Sequence, residues 1–152
     1  EFRLVIESAC VRLVVERATD DQLRTLDRAA EATPGAGTRP DAGSARADAV
    51  RSGEQFHLDL AALSGNSYLV EALHGTLTRL ARSRWLVVGD EATRIGARTA
   101  HADLLGSIQD RDPVRAVRIV EQHLRTTDAA VVDLLREQAA RHRLAGSDIV
   151  GH

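Results

Sequence analysis

The sequence predicts an all-α protein, an antiparallel bundle of six to seven helices joined by short connections. Three observations carry this. Ala, Leu, Arg and Glu dominate while aromatics make up only 3%, a composition of small and straight-chain helix formers. Apolar residues recur at helical spacing along most of the chain, and no stretch alternates as a strand would. The breaks between periodic stretches carry helix-capping residues. At 152 residues, 43% apolar and 28% charged, the chain has the size and balance of one domain with a real core.

The first helix is expected over Phe2–Arg17, with Leu4, Val5, Ala9, Val11 and Leu13 to Val15 apolar and Arg3, Glu7, Arg12 and Glu16 between them. Thr19-Asp-Asp-Gln22 is a capping-box signature that starts a second helix carrying Leu23 and Leu26 and ending near Ala32. Thr33 to Gly43, with two prolines and three glycines, is a loop.

A third helix follows from about Ser44 to Leu63, despite Gly53 in its interior, which costs about 1 kcal/mol relative to Ala. Its Phe56, Leu60 and Leu63 form an apolar stripe with His57 beside it. Ser64-Gly65-Asn66 supplies a left-handed stop and a cap for the next helix. That helix runs from about Ser67 to Val88, with Leu69, Leu73, Leu77, Leu80 and Trp85 on one side and Arg79, Arg82 and Arg84 near its end. Gly89-Asp90 breaks the pattern before a fifth helix, Glu91 to Gln109. Asp112 as N-cap and Pro113 as first helical residue open a sixth, expected to run to about Ala140. A polar tail from Arg141 to His152 is expected to fray.

The formal charge of −2 gives no sign of nucleic-acid binding by the chain as a whole. A single cysteine, Cys10, excludes an internal disulfide, and its apolar helical setting predicts a buried thiol. No apolar run approaches membrane-spanning length and no signal peptide is visible, so a cytoplasmic location and no membrane partner are expected. The chain begins at Glu1 and has no methionine, which leads us to expect an excised piece of a longer protein.

The chemistry centres on histidine. His57, His101 and His123 each lie beside an apolar stripe on a different helix. Imidazole is the commonest transition-metal ligand, and three from separate helices would leave positions open for water or a small ligand. Taken singly, each is more often a satisfied core or surface residue. Glu54, one turn before His57, shares its helix face and could join the same ion. His74, His142 and His152 read as solvent-facing. Arg3, Arg79, Arg82 and Arg84 could clamp a carboxylate, although each alone is more often an exposed side chain lying over apolar surface. Arg3 stands out because Glu7, one turn on, could hold it. No nucleophile elbow, phosphate loop or paired-carboxylate motif accompanies these residues.

Several stretches resemble the C-terminal effector-binding (FCD) domain of FadR-type GntR transcription regulators. Arg3-Leu-Val-Ile-Glu7 with Arg12-Leu13 and Glu16-Arg-Ala-Thr19 is similar to its first helix. Phe56-His57, Leu60 and Ser64-Gly-Asn66 resemble its Phe-His…Ser-Gly-Asn motif. His101-Ala-Asp-Leu-Leu105, Asp110-Arg-Asp112, Ala116 and His123-Leu124 resemble its His…Leu-Leu…Gly-Asp…Ala…His-Leu pattern. The pieces occur in the family's order from Phe2 to about Leu135.

The resemblance implies a ligand-sensing, dimerising domain over residues 1–140 whose interior takes a small effector, often an organic acid. It implies a divalent metal, Zn or Ni, held by three histidines that match His57, His101 and His123. The family's fourth ligand is an Asp four residues before the first of these, and here that position is Gly53. Glu54 or an exogenous carboxylate would then complete the set, and the space at Gly53 would enlarge the effector cavity. Arg3 and Arg79 are the arginines placed with the effector. The resemblance also implies a winged-helix DNA-binding domain upstream, through which alone DNA would be bound. The competing expectation is a metal-dependent, hydrolase-like enzyme on a helical bundle, in which a bare three-His metal activates water.

Overall fold

The computed structural model describes residues 1–31, 42–87 and 91–147. Among them the chain is six helices and no strand: α1 (Phe2–Arg17), α2 (Asp20–Glu31), α3 (Ala42–Leu63), α4 (Ser67–Val87), α5 (Glu91–Gln109) and α6 (Pro113–Ser147). Most of the expected loop before α3, the Gly89-Asp90 break and the final residues lie outside the described residues.

The punctuation forms as its chemistry dictates. The Thr19 amide donates to Gln22 Oε1 at 2.9 Å and the Gln22 amide to Thr19 Oγ1 at 3.3 Å, closing the capping box. Gly65 takes φ +66°, and Asn66 Oδ1 accepts from the amides of Tyr68 and Leu69 at the start of α4. Asp112 Oδ1 caps α6 by accepting from the Arg115 amide at 2.9 Å.

α1 is the centre of the bundle and packs against α3, α4, α5 and α6. Its buried side chains surround it, Ile6 and Cys10 facing one apolar cluster with Leu73 and Leu77, and Val11, Val14 and Val15 facing another with Leu60, Leu104, Ile108 and Val120. Burial raises the Cys10 thiol to about 11, so it is an inert core residue. Arg111 locks the α5–α6 turn to the α1–α2 corner, donating to Val15 O at 3.0 Å, Ala18 O at 2.7 Å and Asp20 Oδ1 at 2.6 Å.

Four expectations from the sequence are corrected. Val5 is 70% exposed, because a helix buried on two sides still leaves one strip to solvent. Trp85 is 40% exposed, its ring covered by Arg46 rather than by the core. Arg84, more often an exposed side chain by its type, is buried, and so is Glu7. α6 continues through Ser147, past the expected end near Ala140. Arg141 to Gly146 contains no proline, and the exposed side chains of Arg141, His142 and Arg143 fit a helix with a solvent-facing surface.

Candidate functional site

Three helices bring His57, His101 and His123 together. α3, α5 and α6 each contribute one ring, and the ring centroids lie 5.0 Å (57–101), 5.4 Å (57–123) and 4.9 Å (101–123) apart. One nitrogen from each ring lies within 4.8 Å of the other two. Phe56 orients the group, stacking on His101 at 3.9 Å and meeting His57 edge-on at 5.5 Å. His57 is fully buried, while His101 and His123 are half-buried.

Behind His57 stands Glu7 of α1, with Oε2 2.7 Å from Nδ1. The other oxygen of Glu7 is paired with Arg3, one turn earlier on α1. Burial alone would raise the Glu7 carboxyl, but His57 and Arg3 beside it outweigh that and lower it to about 2. Burial lowers His57 despite Glu7, so the imidazole is neutral. An ionised carboxylate facing Nδ1 favours the proton there and leaves Nε2 as the lone-pair nitrogen, as the carboxylate behind a metal-bound histidine does. His101 is also lowered, by burial and then by the neighbouring histidines. Burial followed by His57 and Arg3 takes His123 to about 3. All three rings are therefore neutral at ordinary pH.

Arg84 closes the other side. Its guanidinium is buried, with Nη1 3.3 Å from Glu54 Oε1. Burial lowers it to about 10, which leaves it charged at neutral pH. It occupies the space beside Gly53: a Cβ at that position would stand 3.0 Å from Arg84 Nη2.

The polar atoms of this region are under-satisfied. Among the described residues, the buried side-chain nitrogens and oxygens without a well-aligned hydrogen bond all lie in this one site. Four of them face one another as ion pairs, Glu7 Oε2 with His57 Nδ1 and Glu54 Oε1 with Arg84 Nη1, which leaves Arg3 Nη2, His57 Nε2 and His101 Nε2 without a partner. Native interiors usually pair such atoms, so this cluster is the candidate site.

The sequence-predicted residues divide accordingly. His57, His101 and His123 converge. Glu54 stays out of the histidine cluster because Arg84 holds its carboxylate. Arg3 reaches the site through Glu7. Arg79 is exposed and lines a groove of about 390 Å³ with Arg3, Thr76, Leu124 and Asp128. Gly53 lies next to Arg84. His74 and His142 are exposed, and His152 is outside the described residues.

The geometry defines a helical bundle with a cluster of His, Arg and Glu side chains in its interior. The FCD domain model matches residues 1–126, and the chain belongs to the FCD domain family. Among curated proteins it is similar to the HTH-type transcriptional repressor NanR of Klebsiella aerogenes, 31% identical over 131 residues that cover 85% of this chain and 48% of the relative. The NanR repressor of Cronobacter sakazakii is 28% identical over 149 residues, covering 93% of this chain and 53% of the relative. The Nta operon transcriptional regulator of Aminobacter aminovorans is 23% identical over 143 residues, covering 90% and 61%. The chain thus spans about half the length of the curated relatives it matches. No described helix is long and apolar enough to cross a membrane.

The donor set suits a divalent metal. Three neutral imidazoles offer nitrogen to a common point, the Nε2 atoms of His57 and His101 have no protein partner, and Glu7 supports His57 from behind. Nitrogen donors of this kind favour Zn²⁺ or Ni²⁺.

Proposed function

We propose that this chain is the ligand-sensing domain of a transcription regulator, and that its effector is a small organic acid bound at the His57, His101 and His123 site. The observation that carries the reading is the concentration of partnerless buried nitrogens, Arg3 Nη2, His57 Nε2 and His101 Nε2, around three converging rings. Imidazole nitrogen and guanidinium together suit an acid: the histidines hold a divalent metal whose open positions take carboxylate oxygen, and the arginines supply donors and positive charge. Arg79, with Arg3 on the neighbouring groove, would meet the effector's outer end.

The regulator reading extends to the whole protein. A winged-helix domain upstream would read DNA, and the domain over residues 1–140 would sense the effector and dimerise, matching two-fold symmetric DNA sites. A cytoplasmic location follows from that role. The hydrolase reading lacks a base. Glu7, the acid nearest the histidines, is held by Arg3 and lowered to about 2, too weak a base to activate water efficiently.

A thermal-shift screen of organic acids, run with and without added Zn²⁺, tests this reading. An acid that stabilises the native protein and leaves the His101→Ala variant unmoved would support it. Stabilisation that persists equally in His101→Ala would place the effector elsewhere.

A further inference from the structure

Gly53 and Arg84 change the charge of the site. Position 53, one turn before His57, has no side chain, and a guanidinium occupies the space beside it. The charges already present cancel, Arg3 with Glu7 and Arg84 with Glu54, and an imidazole that gives its lone pair to a metal is neutral. A divalent ion on the three nitrogens would add two positive charges in a buried place where no free carboxylate answers them. Buried charge without a counter-charge is strongly disfavoured.

We propose that the missing negative charge is brought by the effector, so that this site binds its metal and its effector as one unit and selects a dianionic acid over a monoanionic one. This rests on the ligand-sensing reading above and adds the effector's charge class. One acid group completes the coordination begun by His57, His101 and His123. A second faces Arg84, whose guanidinium is buried and paired on one side by Glu54 at 3.3 Å. Arg84 acts here as a specificity residue, because it gives the second acid group a cationic neighbour, whereas a monoanion answers only one of the ion's two charges. Glu54 holds the guanidinium in place.

The test is a Co²⁺ titration of the metal-stripped protein, followed by the ion's visible absorption, with no added acid, with acetate or with L-malate, free Co²⁺ being corrected for complexation in solution. Malate is expected to tighten Co²⁺ binding by at least about tenfold, within the usual range of coupling between two ligands, and acetate to do much less. In Gly53→Asp the added carboxylate should allow Co²⁺ to bind without acid and shrink the malate effect. In the charge-balanced double variant Arg84→Gln with Glu54→Gln, malate should lose its advantage over acetate. The proposal is overturned if the wild-type protein binds Co²⁺ equally well with and without malate, or if acetate matches malate. Either result leaves the histidine site intact. If neither the wild-type protein nor Gly53→Asp takes up Co²⁺ under any condition, the three-histidine reading fails and this inference falls with it. The wild-type comparison of malate with acetate decides the matter even if a variant folds poorly.

Discussion

Glu7 Oε2 lies 2.7 Å from His57 Nδ1, and this contact joins the central helix of the bundle to the candidate binding site. Arg3 holds the same carboxylate from the other side. Glu7→Ala would leave the buried Arg3 without its counter-charge and His57 without its orienting partner. We predict a loss of about 3–5 kcal/mol in stability, the usual result of removing one member of a buried pair. Glu7→Gln keeps the shape and should lose less. Urea denaturation of the two variants against wild type checks both values. A change within experimental error for Glu7→Ala would show that the buried pair contributes nothing.

The histidines make the fold acid-sensitive at mild pH. A buried His whose folded value is depressed contributes stability above its unfolded value, and that contribution is lost as pH falls toward the folded value. His57 and His101 are lowered from 6.5, and His123 goes from 6.5 to about 3. Stability should therefore begin to fall below about pH 6.5, before any carboxylate titrates. Glu7, lowered from 4.5 to about 2, adds a second loss below about pH 4.5. Denaturation midpoints compared between about pH 7 and about pH 5 should drop in the wild-type protein and drop less in His123→Gln. An equal drop in both would assign the effect to other groups.

Arg111 is left-handed at φ 56° and is held there by three hydrogen bonds, to Val15 O and Ala18 O at the end of α1 and to Asp20 Oδ1 at the start of α2. Arg111→Ala would keep the backbone strain and lose the bonds, so a cost of about 2 kcal/mol is expected. Arg111→Gly loses the same bonds but relieves the strain, and should be milder than Ala by about 1 kcal/mol. Thermal melts of the pair reveal the ordering. Gly equal to or worse than Ala would mean the left-handed turn stores no strain.

Most of the helical framework was legible in the sequence because its signals are local. Thr19-Gln22, Gly65-Asn66 and Asp112-Pro113 act within one turn of themselves, and all mark helix boundaries. The convergence of the three histidines was legible only through resemblance, since spacing along the chain says nothing about meeting across a bundle. The burial of Glu7 and Arg84 was not read from the sequence, because charged side chains are rarely buried unless paired, and their partners His57 and Glu54 lie on another helix. Register would have found both. Arg84 falls seven residues after Leu77 and eleven after Leu73, on the same buried stripe, and Glu7 precedes Val11 and Val14 by four and seven. Arg79 and Arg82 fall off that stripe and are exposed. The run of α6 past Ala140 left no local mark, because a polar sequence without Pro or an early Gly reads equally as a fraying tail or as an exposed helix.

The central claim is that His57, His101 and His123 act together as one metal-binding effector site. Its most direct measurement is the metal content of the protein after equilibrium dialysis against Zn²⁺ and an excess of L-malate, made on the wild-type chain and on His57→Ala, His101→Ala and His123→Ala. One ion per chain in the wild type, lost in each of the three variants while their helical circular dichroism is kept, is the predicted result. Retention of the ion by any single variant at wild-type affinity, or no ion in the wild type, would contradict the account.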